Sequence, residues 1–115
     1  MKRDLETIKK ILLAVEESDN VVQKIEGLSG KEFAFHASLL VDAGFVHGKI
    51  PPGSGGIPDA AAITSLSWNG CEFLDNARNE VVWQKAKEFM KKAGGTASIE
   101  ILKFALDFFM KQYLV

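Results

Sequence analysis

The sequence predicts an α+β fold, and one central stretch of the chain is the main evidence. Ser29-Gly30-Lys31-Glu32 has the form of a capping box, and apolar residues then recur at helical spacing as far as Gly44. Residues 45–50 have a strand-like pattern, residues 51–58 are rich in Gly and Pro, and residues 61–66 return as a second strand. A helix, a strand, a flexible tip and a returning strand are typical of the recognition helix and wing of a winged helix-turn-helix domain. We therefore predict a winged helix-turn-helix-like domain with a small antiparallel sheet and additional C-terminal helices.

The chain before this stretch predicts one helix and one short strand. Asp4 is the expected N-cap of a helix that runs to about Glu17. Residues 21–25 are mostly β-branched and predict a third strand for the sheet. Between Asn20 and Ser29 there is no room for the scaffold helix of a full winged helix, so we expect a reduced version of the module. The buried stripe of the first helix is expected to be Leu5, Ile8, Leu12 and Val15.

Three more helices are predicted after the wing. Ser67 can cap a helix that starts at Trp68, and Gly70 in its first turn indicates a close approach of helix and sheet. Asn79 is the expected N-cap of the next helix, and Thr96 or Ser98 begins the last one. The inward face of the first of these helices is expected to hold Leu66, Trp68, Phe73, Leu74 and Ala77. The buried stripe of the second is expected to be Val82, Trp83, Ala86, Phe89 and Met90.

The last helix carries more apolar surface than a helix packed on one side requires. Its polar residues form one narrow stripe, which consists of Glu100, Lys103, Asp107 and Lys111. Exposed apolar patches of such size usually mark an interface, and two-fold dimers dominate soluble oligomers. We therefore predict a homodimer formed through this helix, unless the first helix crosses over it and encloses both sides. The predicted dimer surface is Ile101, Phe104, Phe108 and Val115.

Length and composition restrict the class of protein. The 115 residues suit one domain, with helix, strand, helix and wing in residues 1–67 and the C-terminal helices in residues 68–115. The formal net charge of −1 lacks the basic excess that is usual in DNA-binding domains. A single cysteine fits a reducing compartment, and no signal peptide or charge-free transmembrane stretch is visible. A cytoplasmic protein without membrane contact is predicted.

The outward face of the helix over residues 30–43 is the predicted partner surface. Base readout requires Arg, Lys, Asn or Gln on such a face, with cations nearby for phosphate. This face, with Glu32 on its flank, instead combines one lysine and two acids with an aromatic side chain that we expect to be exposed, and it has no arginine. These features favour a protein partner of unknown identity over nucleic acid. The residues of this face are Lys31, Phe35, Ser38, Leu39 and Asp42.

No set of residues predicts catalysis, a cofactor or a metal. Cys71, His36 and His47 are the only residues that suggest a thiol nucleophile or a zinc site, and they lack the paired spacings of zinc ligands. We expect Cys71 to be a small, semi-buried packing residue. His36 lies beside the buried stripe of its helix, so we expect it to be partly buried and bonded to a backbone carbonyl.

Four segments of the chain each resemble the corresponding segment of one known protein family. They are residues 1–16, which begin Met1-Lys2-Arg3-Asp4-Leu5; residues 33–46, which begin Phe33-Ala34-Phe35-His36; residues 66–75, with Trp68-x-Gly70; and residues 82–87, which begin Val82-Trp83. In this order they resemble a bacterial and phage family of small proteins of unknown function. The resemblance implies a small winged-helix-like protein, often carried by prophages and mobile elements, and it implies no activity, cofactor or catalytic residue. Cys71 departs from the polar residue, such as histidine, that the family leads us to expect.

Two functions follow from these observations. The favoured one is a non-enzymatic interaction or regulatory adaptor in a bacterial or phage setting, with winged-helix surfaces that contact protein. The alternative is a sequence-specific DNA-binding transcriptional regulator, which only the likeness of fold supports.

Overall fold

The computed structural model describes residues 1–94 and 98–115 and is an α+β structure. It has two compact units, Met1–Cys71 and Glu72–Val115. In the described residues no helix is long and apolar enough to cross a membrane. The elements are α1 (Leu5–Glu17), α2 (Gly30–Asp42), β1 (Val46–Lys49), β2 (Ala62–Leu66), α3 (Trp68–Ala77), α4 (Glu80–Lys92) and α5 (Ile99–Tyr113), with a short 3-10 turn over Ser54–Gly56 in the loop between β1 and β2.

Helix α1 begins where its capping residue predicts. The carboxylate of Asp4 accepts the backbone N–H groups of Glu6 and Thr7 at 3.0 and 3.4 Å. These bonds satisfy amides that have no partner inside the helix. The buried side chains of α1 are Thr7, Ile8, Ile11, Leu12 and Val15, and Leu5 is half-buried.

The capping box of α2 is confirmed in both directions. The Ser29 hydroxyl accepts the Glu32 N–H at 3.0 Å, and the Glu32 carboxylate accepts the Ser29 N–H at 3.4 Å. Gly44 follows the last turn with φ at +76°, a conformation that L side chains rarely adopt. The predicted start and end of this helix are therefore confirmed.

The sheet contains two strands instead of the three predicted. β1 and β2 pair antiparallel, with an irregularity in register between His47 and Gly48. The predicted strand over residues 21–25 reduces to one bridge, in which the backbone groups of Val22 and Ile63 exchange hydrogen bonds of 2.8 and 2.9 Å. In the described residues no helix lies between α1 and α2, as the short spacing predicted.

Helix α3 begins in contact with the residue that precedes β1. The Ser67 hydroxyl accepts the Gly70 N–H at 3.0 Å and donates to the Gly44 carbonyl at 2.5 Å. A Cβ on Gly70 would collide with the Phe45 carbonyl oxygen. The close approach predicted from Gly70 is confirmed.

The prediction that Trp68 faces inward is wrong. Its side chain is 80% exposed, whereas Phe73, Leu74 and Ala77 are buried. Two residues of α-helix turn the chain through about 200°, so Trp68 lies opposite the side on which Gly70 touches Phe45. Large size and apolar character suggested burial, but helical position decides the direction of the side chain.

Helices α4 and α5 pack against each other in the second unit. The side-chain oxygen of Asn79 accepts the Val82 N–H at 3.1 Å, and the Ser98 hydroxyl accepts the Ile101 N–H at 3.3 Å. Ser98 is therefore the N-cap of α5, and Thr96 lies outside the described residues. Phe89, predicted to belong to the buried stripe of α4, is 41% exposed. The buried side chains are Val82, Trp83, Ala86 and Met90 on α4, and Leu102, Ala105 and Leu106 on α5.

Candidate functional site

The outer side of α5 exposes large apolar side chains. Phe104 is 66% exposed, Phe108 47% and Ile101 42%, and Val115 at the end of the chain is fully exposed. Spacings of three and four residues bring the first three onto one side of the helix. The structure thus places the residues of the predicted dimer surface in solvent, with Phe104 nearly opposite the buried residues of α5, Phe108 and Ile101 towards one flank, and Val115 beyond the end of the helix.

An apolar groove of about 190 Å³ lies between these rings and α4. The Phe104 and Phe108 rings stack at 6.5 Å, and Phe108 meets Phe109 edge to face at 5.4 Å. Phe89 on α4 extends the cluster, with its ring 6.5 Å from that of Phe109. The groove is lined by Phe89, Phe104, Ala105, Phe108 and Phe109.

Three of the groove residues do not belong to the predicted surface. The sequence pattern places Phe89 in the buried stripe of α4, and it predicts no surface for Ala105 and Phe109. A helical projection places Phe89 about 75° from the centre of the buried stripe of α4, on its flank. This projection is the signal that could have indicated its exposure.

The predicted partner surface on α2 exposes less of its apolar side chains than expected. Lys31 and Asp42 are exposed at the two ends of the helix, whereas Phe35, Ser38 and Leu39 are half-buried. The Phe35 ring contacts the His36 ring edge to face, with 5.1 Å between centroids. The prediction of an exposed aromatic at position 35 is therefore wrong, since Phe35 is half-buried and the neighbouring ring covers part of it.

His36 is held by two hydrogen bonds inside the first unit. It is 2% exposed, its Nδ1 lies 2.7 Å from the Glu32 carbonyl oxygen, and its Nε2 lies 2.9 Å from the Asp4 amide nitrogen. Because a carbonyl only accepts and an amide only donates, Nδ1 carries the proton and Nε2 accepts. Both ring nitrogens are thus engaged in a structural role, and the prediction of a histidine bonded to a backbone carbonyl is confirmed.

Cys71 is exposed, so the prediction of a semi-buried packing cysteine is wrong. It follows Gly70, and one further residue turns the helix by about 100° away from the contact with Phe45. His47 is exposed as well. In residues 1–94 and 98–115 no three His, Cys, Asp or Glu side chains come close enough together to hold a metal ion.

The basic side chains of α4 lie on a mostly exposed face of that helix. Lys87 is half-buried, with its ammonium nitrogen 5.9 Å from the centroid of the Trp83 ring. Lys85, Lys91 and Lys92 are exposed, as is Glu88 between them. Exposed lysines alternating with acids are typical of a solvated helix face.

Comparison with known proteins gives a family but no activity. The chain is 28% identical over 120 residues to an uncharacterized protein of Haemophilus influenzae, and the match covers 99% of each chain. No solved structure matches it. Residues 2–96 match the family model described as Hypothetical protein (DUF2513). This chain belongs to the DUF2513 family of uncharacterized proteins.

Proposed function

We propose that the protein is a non-enzymatic protein-interaction module of the bacterial or phage cytoplasm, built on a reduced winged-helix architecture. The observation that carries this proposal is the exposed aromatic cluster on α5, where two phenylalanines lie in solvent and stack on each other. Apolar surface of this kind on a small folded protein is typical of a contact site for another protein.

The arrangement of the first unit supports the winged-helix part of the proposal. β2 lies between β1 on one side and the Val22 bridge on the other. Helix α2 leads directly through Gly44 into β1, and the Gly- and Pro-rich tip connects the two strands. This order of helix, bridge, helix, strand, tip and strand is the one expected of a winged helix that lacks its scaffold helix.

The rival function is sequence-specific binding of DNA, and the exposed lysines of α4 are the observation in its favour. The helix that would enter the major groove opposes it, because Lys31 is the cation on the predicted α2 face and Asp42 lies at its other end. The wing adds Lys49 at its base. Without a bidentate donor for a base edge and with few phosphate contacts, neither specificity nor affinity is supplied.

We therefore expect no sequence-specific duplex binding tighter than micromolar at physiological salt. Specific regulators typically reach about 10⁻⁸ M or tighter under such conditions. Selection from random duplex DNA, followed by titration of the enriched fragments at two salt concentrations, checks this. A reproducible motif bound at nanomolar affinity would establish the DNA-binding regulator instead.

Recovery of partners with matched variants tests the interaction module itself. Tagged wild-type chain, a Phe104→Asp variant and a Lys31→Glu/Asp42→Lys variant are each recovered from bacterial lysate, with mass spectrometry of protein and sequencing of nucleic acid. We expect a partner set that one surface variant loses and the other retains, because a specific contact depends on one face. Equal recovery by all three chains, or recovery of nucleic acid alone, contradicts the proposal.

A further inference from the structure

The exposed stripe of α5 has an ordered pattern of charge. Glu100 and Lys111 are exposed near its two ends, and Phe104 and Phe108 lie exposed between them. In helical projection Glu100, Phe104 and Lys111 fall within about 40° of one another, directly opposite the buried side of the helix. Acid, aromatic and base therefore follow each other along one line of the surface, with Phe108 about 40° to one side of Phe104.

This pattern is complementary to the same helix running in the opposite direction. Glu100 and Lys111 are equidistant from a point between residues 105 and 106, and Phe104 and Phe108 are centred at 106. Asp107 is already engaged, because its carboxylate accepts the Asn76 side-chain N–H at 2.8 Å, and Lys103 is half-buried. In an antiparallel copy of the helix, Glu100 thus meets Lys111 and the aromatic pair meets an aromatic pair.

We propose that the occupant of this face is a second copy of the chain, whose α5 pairs antiparallel with the first across a two-fold axis near residues 105 and 106. The inference rests on the proposed interaction function and assigns the partner of its α5 surface. A two-fold contact requires one patch that is complementary to itself, and the charge order of α5 meets that requirement. An unrelated partner would not require this symmetry.

The size of the surface sets the expected strength of the pairing. A helix of 15 residues is about 22 Å long, so an interface centred on α5 lies at the small end of protein contacts. Phe104 and Phe108 supply its aromatic centre, and the charged residues lie at its rim. Micromolar association is therefore expected, with charges that determine the orientation of the two helices more than their affinity.

Charge exchange between the two ends of α5 tests the antiparallel arrangement by sedimentation velocity. In the antiparallel dimer, position 100 of each copy meets position 111 of the other. Glu100→Lys therefore places lysine against lysine at both of these contacts, and Lys111→Glu places glutamate against glutamate at both. Each variant alone is expected to dimerise about tenfold more weakly than wild type at low salt. An equimolar mixture of the two variants, and the double variant Glu100→Lys/Lys111→Glu, are both expected to recover wild-type association.

Controls on α4 separate this effect from a change in net charge. Glu88→Lys and Lys91→Glu carry the same charge changes on exposed positions of α4, and Glu88 lies opposite the buried stripe of that helix. Both are expected to dimerise like wild type. A mixture that associates no better than its components overturns the antiparallel pairing. A wild-type chain that stays monomeric throughout the micromolar range contradicts the proposal that a second copy occupies this face. The interaction function would in that case depend on a different protein.

Discussion

Replacement of Gly70 by alanine is expected to destabilise the protein by about 2–3 kcal/mol, although alanine is the better helix former. The added Cβ would overlap the Phe45 carbonyl oxygen, which also accepts the Ser67 N–H at 3.0 Å. A backbone carbonyl cannot rotate away as a flexible side chain can. The start of α3 must therefore move away from the segment before β1, and the hydrogen bond between them weakens. Urea unfolding followed by circular dichroism measures the loss.

Gly30 provides the matched control, because it also lies in the first turn of a helix. A Cβ there would meet the Asp59 carbonyl oxygen at 4.0 Å, an ordinary contact distance. Gly30→Ala is thus expected to be neutral or to stabilise by about 0.5 kcal/mol, through reduced entropy of the unfolded chain. If both substitutions stabilise the protein equally, the contact between Gly70 and Phe45 is absent in solution.

Replacement of His36 by phenylalanine is expected to cost about 2–3 kcal/mol. The somewhat larger phenyl ring fills the space but removes both hydrogen bonds, so the Asp4 N–H loses its acceptor and the Glu32 carbonyl keeps only its bond inside α2. Because Asp4 is also the N-cap of α1, the change detaches the start of α1 from α2. Amide hydrogen exchange is expected to show faster exchange at the first turn of α1, together with lower stability in urea.

His47 serves as the control for this substitution. It is exposed on β1, and His47→Phe is expected to change stability by less than about 0.5 kcal/mol. Comparable losses for both histidines would mean that the two bonds of His36 contribute nothing measurable to stability.

The ends of the helices could be predicted because their signals are local. Each N-cap side chain accepts a backbone N–H two or three residues further along the chain; these side chains belong to Asp4, Ser29, Asn79 and Ser98. The local sequence did not reveal that the predicted third strand is only a single bridge. Val22 pairs with Ile63 far along the chain, and the β-branched composition of residues 21–25 does not reveal how many of them find a partner.

The direction of individual side chains was harder to predict than the helices that carry them. Residue type alone predicts burial for Trp68 and partial burial for Cys71, although their distance in sequence from Gly70 places them on other sides of α3, where both are exposed. On α5 the pattern was more informative, because an apolar arc wider than one packing contact implies leftover apolar surface. Phe104 and Phe108 are accordingly exposed. The proposed occupant of that surface rests on the charges beside it, which a count of apolar residues does not include.

Light scattering of the wild-type chain and its Phe104→Asp variant, across the micromolar range, tests most directly whether α5 is a contact surface. We expect a concentration-dependent dimer for wild type and a folded monomer for Phe104→Asp, with a thermal transition as cooperative as that of wild type. Phe73→Asp, at a position that is 1% exposed, is the reference for a collapsed fold. A monomeric wild type, with Phe104→Asp unfolded like Phe73→Asp, would show that α5 lies inside the protein and would contradict the account.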